Sequence, residues 1–198
     1  MANKALSALA LVLSAAVSGC AGSDLHFYML EPLAQTSPAP TPVPDTIVVG
    51  LGPVHLPEYL NRPQMVIATG EHQYQFDEHH RWAEHLDQNI SRVLVQQLSQ
   101  QLGLKQVLRY PWAQRQAVDY QLVIDVLEFH QTASLHSRLK GQWQIKRADQ
   151  TLLSQQFACS IDSDDQAENI VAAQSQCLHD LGLELAAAVK QLQASQPK

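Results

Sequence analysis

Glu71, His72, Asp77, Glu78, His79, His80, Glu84 and His85 crowd carboxylates and imidazoles into one short stretch, a composition able to hold a metal ion or move protons. A metal site would draw on His79, His80 and His85. Adjacent histidines on an extended segment point to opposite faces, however, and no His-x-x-x-His pair sits at helical spacing, so no metal and no bound cofactor are assigned. The chain also lacks a Gly-x-Ser-x-Gly elbow, a Gly-rich phosphate loop and a Cys-x-x-Cys pair. No catalytic residues emerge, and the chain does not read as an enzyme. Cys159 and Cys177 lie 18 positions apart, the first on a strand and the second on a helix. Cys159 shares its face with Leu153, Phe157 and Ile161, and Cys177 falls on an apolar stripe, so both point inward as a candidate disulfide or as two buried free thiols.

The third cysteine has different chemistry available. Cys20 closes the run Leu13-Ser14-Ala15-Ala16-Val17-Ser18-Gly19-Cys20, behind a positive Lys4 and an apolar stretch from Ala5 to Val17. That stretch is too short to span a bilayer, and its end has the small residues of a lipoprotein processing site. Cleavage before Cys20 is expected to leave it as the first residue, with a diacylglyceryl group on the thiol and an acyl group on the freed amine. Two or three acyl chains hold a protein to a membrane far more firmly than one. Ala21 stands where an aspartate would retain a lipoprotein in the inner membrane. The expected location is therefore the periplasmic face of the outer membrane of a Gram-negative bacterium.

Composition narrows the partners. Removing residues 1–19 leaves 198 − 19 = 179 residues, enough for one domain with a substantial core. The cut also removes Lys4, so 13 Lys+Arg against 19 Asp+Glu become 12 − 19 = −7, with no long basic run to suggest nucleic acid. In the oxidising periplasm the even pair left after Cys20 is spent invites a bridge.

The elements that would position these residues can be read along the chain. Residues 20–24 form a short tether, and 25–198 the domain. Leu25 to Leu30 reads as a first strand, followed by a Pro-rich loop over 32–45 whose prolines 38, 40, 42 and 44 favour a stiff extended form. Thr46 to Leu51 opens a β-branched strand broken by Gly52-Pro53; Gln64 to Thr69 and, more weakly, Tyr74 to Asp77 follow. Leu86, Ile90, Val93, Leu94, Leu98 and Leu102 recur at helical spacing, with Gly103 to end the helix and a solvated glutamine face at 96, 97, 100 and 101. A short strand spans Gln106 to Leu108. Asp119 to Phe129 is apolar on both faces and so expected to be central, with Val123, Leu127 and Phe129 opposite Tyr120, Leu122, Ile124 and Val126. Leu135 to Arg147 alternates, placing Leu135, Leu139, Trp143 and Ile145 inward, and Leu152 to Ile161 completes an antiparallel run. Ser163 to Gln166 resembles a capping box, before a helix with Ile170, Cys177, Leu178, Leu181, Leu185 and Leu192 on its stripe. The fold class expected is α/β: a mixed, largely antiparallel sheet packed by two amphipathic helices as a layered sandwich, in a single domain.

At Leu56-Pro57-Glu58-Tyr59-Leu60-Asn61-Arg62-Pro63-Gln64-Met65-Val66 the chain resembles the signature of the ABC-type transport auxiliary lipoproteins, the PqiC (YmbA) family. The likeness extends to Phe27-Tyr28-Met29-Leu30, to Arg81-Trp82-Ala83-Glu84-His85-Leu86, to Tyr110-Pro111-Trp112 and to Asp119-Tyr120, in the family's order. His85 departs from it, standing where many relatives carry Pro. The resemblance implies a non-enzymatic outer-membrane subunit of an MCE-type intermembrane lipid transport system. Its implied partner is a PqiB-like MCE protein whose tube crosses the periplasm, with the lipoprotein docking the far end as a homo-oligomeric ring. Within the signature, Pro57 and Pro63 bracket Tyr59 and Arg62, residue types enriched at interface hot spots; they are candidate partner contacts, or alternatively pins that hold the loop to the domain. The competing function is a lipoprotein regulator of another envelope enzyme. Such an activator needs a long tether to cross the cell wall, whereas five residues separate Cys20 from Leu25.

Overall fold

A computed structural model describes residues 24–33, 43–44, 47–113 and 117–195, which form an eight-stranded sheet with two helices on one face. Cys20 and prolines 38, 40 and 42 lie outside the described residues. The strands are β1 (His26–Tyr28), β2 (Val49–His55), β3 (Gln64–Gly70), β4 (Gln73–Trp82), β5 (Leu108–Arg109), β6 (Tyr120–Gln131), β7 (His136–Arg147) and β8 (Gln150–Asp162). The helices are α1 (Leu86–Leu102) and α2 (Ala167–Ala194). As the expected fold class required, the sheet is mixed and mostly antiparallel. Antiparallel ladders join β3 to β4, β6 to β7 and β7 to β8, while β6 pairs in parallel with β2 and, at Gln131, with β3. The long β6 is therefore the spine: β2 and β5 flank its first half, the β3–β4–β1 ribbon meets its far end, and the β7–β8 hairpin runs along its other side.

Apolar alternation fixes which face the helices cover. Leu51, Leu122, Ile124, Leu139, Trp143 and Ile145 are almost fully buried against Leu94, Leu98, Leu178, Leu181 and Leu185. Trp143 also donates from its indole nitrogen to Glu184 on α2 at 2.9 Å. Cys159 on β8 and Cys177 on α2 are joined by a disulfide across a Cα–Cα distance of 5.5 Å. Gly103 ends α1 in the left-handed region at φ 67°, which glycine enters without a Cβ penalty.

Several expectations change on folding. Strand β2 does not stop at Gly52-Pro53 but bulges there and continues to His55. Gly52 has φ +116°, and a Cβ there would lie 2.7 Å from Tyr110 Cβ, so only glycine fits. In β6 a bulge between Val126 and Glu128 shifts the alternation, so Phe129 joins the helix-side core while Leu127 turns out to 55% exposure. Leu135, expected inward, sits in the β6–β7 turn at φ 58° and is exposed. The weak Tyr74–Asp77 strand grows into ten-residue β4, which takes in Asp77, Glu78, His79 and His80 of the acid–histidine cluster.

The glutamine face of α1 divides. Gln96 and Gln100 are exposed, but Gln97 and Gln101 are buried, because they continue the Val93 row at steps of four and α2 packs over it. A Cβ on Gly182 would lie 2.7 Å from Gln97 Oε1, so the missing side chain lets the helices approach. The capping box does not form, since α2 begins only at Ala167 with Gln166 as N-cap. Asp164 instead accepts from the Gln166 amide at 2.9 Å and from Asn169 Nδ2 at 2.8 Å. Ser163 is occupied elsewhere, bonding Ser137, Gln131 and the Leu135 carbonyl.

Candidate functional site

The eleven-residue signature folds as a loop and a strand entry, with Asn61 near the start of α1 and the Tyr59 and Arg62 side chains on the sheet face opposite the helices. Pro57 sets φ −65° and starts a single 3-10 turn, Glu58–Leu60, in which the Leu60 amide donates to Pro57 O at 2.9 Å and the Asn61 amide to Glu58 O at 3.1 Å. Leu60 is buried as the plug of the turn. Chain direction then carries Pro63 to the end of β4, where its carbonyl accepts from the Trp82 amide at 2.7 Å.

Tyr59 and Arg62 both point back onto the sheet. The register pairs Val66 with Phe76 and Ala68 with Tyr74, and Ile67 with Gln131, so Tyr74, Phe76 and His130 share the face opposite Phe129. Onto that patch Tyr59 lowers its ring, 5.3 Å from Tyr74 and 6.3 Å from His130, and its hydroxyl donates to the Leu127 carbonyl at 3.2 Å. The bulge that turns Leu127 outward supplies this carbonyl. Arg62 places its guanidinium 3.7 Å from the centre of the Phe76 ring, a cation–π contact. Both residues thus pin the loop, while Glu58, Asn61 and Pro63 are exposed.

The electrostatics reflect a joint that is half-buried at Tyr59 and closed at His130. Burial, aided by Tyr74 and Glu128, pushes the Tyr59 phenol up to about 12, so it remains a hydrogen-bond donor. Burial likewise pushes the His130 imidazole down; Arg138 and Lys140 add to this and Glu128 opposes it. Burial acts to raise Glu128, but hydrogen bonds from Lys140 at 3.0 Å and Arg138 at 3.3 Å prevail and hold it below its ordinary value.

Asp77, His80 and Glu84 of the acid–histidine cluster are engaged in contacts that hold the fold. Asp77 accepts from the amides of His79 and His80 at 2.9 and 3.2 Å and from His80 Nδ1 at 2.7 Å, which shapes the irregular stretch of β4. Desolvation acts to raise Asp77, yet these bonds leave it below the ordinary value. His80 also stacks on His26 at 5.7 Å, and Arg92 of α1 ties to Glu84 at 3.1 Å. Among the described residues no group of three or more His, Cys, Asp or Glu could hold a metal ion. No helix among them is long and apolar enough to cross a membrane.

Two motifs distant in sequence therefore meet. The signature loop and the Arg81–Leu86 segment bound a groove of about 310 Å³ lined by Arg62, Pro63, Trp82, Ala83, Glu84 and His85. Periodicity could not have found Tyr74 and His130 as the seat of Tyr59, because the β6 bulge that brings them together leaves no local signal.

Comparison with known proteins gives three findings. Residues 28–186 match the family model described as ABC-type transport auxiliary lipoprotein component. Among solved structures, a Xanthomonas campestris protein of the DUF330 family superimposes with a TM-score of 0.72 at 15% identity, over 87% of this chain and 100% of its own. A second crystal structure, of an uncharacterized protein, gives 0.69 at 22% identity, over 84% of this chain and 99% of its own. At these identities the likeness establishes the fold. None of the curated proteins matches the chain.

Proposed function

The chain belongs to the ABC-type transport auxiliary lipoprotein family, and on that premise we propose that it docks a periplasm-spanning MCE protein of the PqiB type at the outer membrane. Membership makes it an auxiliary transport component of the cell envelope, held to a membrane as a lipoprotein. The finer reading adds the acceptor, Cys20, and the membrane, the outer one. Five residues of chain reach about 17 Å at full extension, so the domain stays close to its anchor, and only a partner that spans the periplasm can meet it from the other side.

The observation that carries the docking reading is the convergence of the signature loop and the Arg81–Leu86 segment around one groove. Tyr59 and Arg62 enter as the residues that hold this surface in shape, and Glu58, Asn61 and Pro63 as the atoms presented. A ring of identical chains would let the same surface collar the end of a tube, since closed cyclic symmetry surrounds an axis.

The test is co-purification of the protein with the periplasmic region of a PqiB-like partner, comparing wild type with folded Tyr59→Ala and Arg62→Ala variants. Losing either pin lets the presented loop lose its shape and is expected to cost about 2 kcal/mol, roughly thirtyfold in affinity. No complex with wild type removes the docking function. An undiminished complex with both variants moves the contact surface away from the signature loop.

A further inference from the structure

We propose that the outward side of β1, formed by Leu25, Phe27 and Met29, is seated in the interfacial layer of the bilayer that holds the lipid on Cys20. This rests on the anchoring reading above and adds a second, non-covalent membrane contact to it.

The alternation along this strand runs opposite to that of a solvated edge. His26, itself exposed, stacks on His80 of the neighbouring strand, Tyr28 packs against the core and Leu30 is fully buried. The intervening side chains face away, with Leu25 48%, Phe27 61% and Met29 37% exposed. Single exposed apolar residues are ordinary, and natural edge strands usually carry charge on their free side. Three large apolar side chains in a row on a strand of only three paired residues meet neither description.

Nor is the row a frayed end. Its carbonyl end is clamped to α1: the Leu30 amide donates to Asn89 Oδ1 at 2.7 Å, and the Leu30 carbonyl accepts from Asn89 Nδ2 at 3.3 Å and Arg92 Nη2 at 3.0 Å. Asn89 is completely buried, so this clamp is built into the domain. One register step along β1, the Tyr28 carbonyl accepts from the Ala83 amide at 2.9 Å. The stripe is therefore presented at a fixed angle.

What covers it follows from chain length. Cys20 precedes Leu25 by five residues, about 17 Å of extended chain at most, and the stripe from Leu25 to Met29 spans four residue steps, about 13 Å. Once acyl chains draw Cys20 to the bilayer, the stripe cannot leave its neighbourhood. Apolar side chains held there partition into the boundary between headgroups and acyl chains. Seated this way, β1 sets the orientation of the whole domain, and the groove beginning at Trp82 remains close to the membrane surface through the Tyr28–Ala83 bond.

The experiment uses the lipidated, processed protein reconstituted into phosphatidylethanolamine–phosphatidylglycerol vesicles whose acyl chains are brominated near the headgroup. Phe27→Trp reports on the stripe and Leu183→Trp, at an exposed position on α2, on a remote surface. Wild type supplies the background of Trp82, Trp112 and Trp143. The added emission of Phe27→Trp is expected to fall by roughly half, as for a ring buried about 5–10 Å into the boundary, while that of Leu183→Trp is unchanged. If the protein floats with the vesicles and neither reporter is quenched, the stripe faces protein or water and the proposal is overturned. Equal quenching of both overturns it too, since the contact is then not specific to β1. A processed N-terminal peptide without the lipid mass at Cys20 would bring down the anchoring reading first, and this inference with it.

Discussion

The two faces of the sheet share their strands and differ in almost everything else. On the helix side, residues from β2, β6 and β7 interdigitate with two long helices, and the disulfide fastens β8 to α2. The opposite side of β6 and β7 carries a ladder of charges and amides: His55 to Asp125 at 2.6 Å, Gln142 to Asp125 at 3.4 Å, and Arg138 and Lys140 to Glu128 at 3.3 and 3.0 Å. At its β3–β4 end this side gains an apolar cover from the signature loop, whose Tyr59 ring lies over Tyr74 and His130. Cross-strand polar pairs contribute tenths of a kcal/mol each, whereas buried core side chains contribute several. Stability therefore resides on one face, and the other is free to present a surface.

The sharpest way to break this comparison is to truncate one residue on each side of the same strand. Trp143→Ala removes a buried indole and its bond to Glu184, and is expected to lose about 3–5 kcal/mol in chemical denaturation. Gln144→Ala, the next residue and on the polar side, is expected to stay within about 0.5 kcal/mol. Equal losses at the two positions would dissolve the distinction between the faces.

A somewhat smaller effect is expected from the bridge. Cys159 and Cys177 close a loop with a sequence separation of 18, for which the chain-entropy model gives about 3 kcal/mol. Mass spectrometry of the non-reduced protein should recover the two peptides linked. The Cys159→Ser/Cys177→Ser double variant should unfold at correspondingly lower denaturant. Two alkylatable thiols in the unfolded, unreduced protein would remove the bridge, and packing alone would then hold β8 to α2.

Long periodic elements were legible in the sequence because burial on one side leaves a repeat. The α1 and α2 stripes, the alternation of β7 and the inward placement of both cysteines come from that repeat. What was not legible depends on single-residue shifts. The bulge at Val126–Glu128 exchanges the faces of Leu127 and Phe129, and the second helix buries Gln97 and Gln101, residues that one helix alone would leave wet. Leu25 to Leu30 reads as apolar on both sides, so composition did not reveal which side the domain would keep. The signature was visible as a motif, but the inward turn of Tyr59 and Arg62 depends on Tyr74, Phe76 and His130, which come from two other strands.

The smallest expected effect sharpens the comparison within the polar face, where His130 is buried beside the signature loop. His130 is 2% exposed, 3.4 Å from the Tyr59 hydroxyl and 3.9 Å from Glu128, with Arg138 and Lys140 nearby. Burial holds its folded-state affinity for a proton below the ordinary value of 6.5, with the two cations assisting and Glu128 opposing. In the unfolded chain His130 takes up a proton as the pH falls through 6.5, and in the folded chain it resists. The unfolded state then binds more protons, so stability must fall as the pH is lowered from about 6.5 toward the depressed folded value. Glu128 contributes in a separate window. Its folded value lies below the ordinary 4.5, so its stabilisation is complete above that pH and is lost only on further acidification. Denaturation midpoints measured from pH 7 to pH 5 should therefore decline in wild type, and His130→Leu should flatten the slope in that range whatever its stability at pH 7. An unchanged slope in the variant would mean that this patch admits water, and that the loop rests on the sheet less tightly than the Tyr59 and Arg62 contacts require.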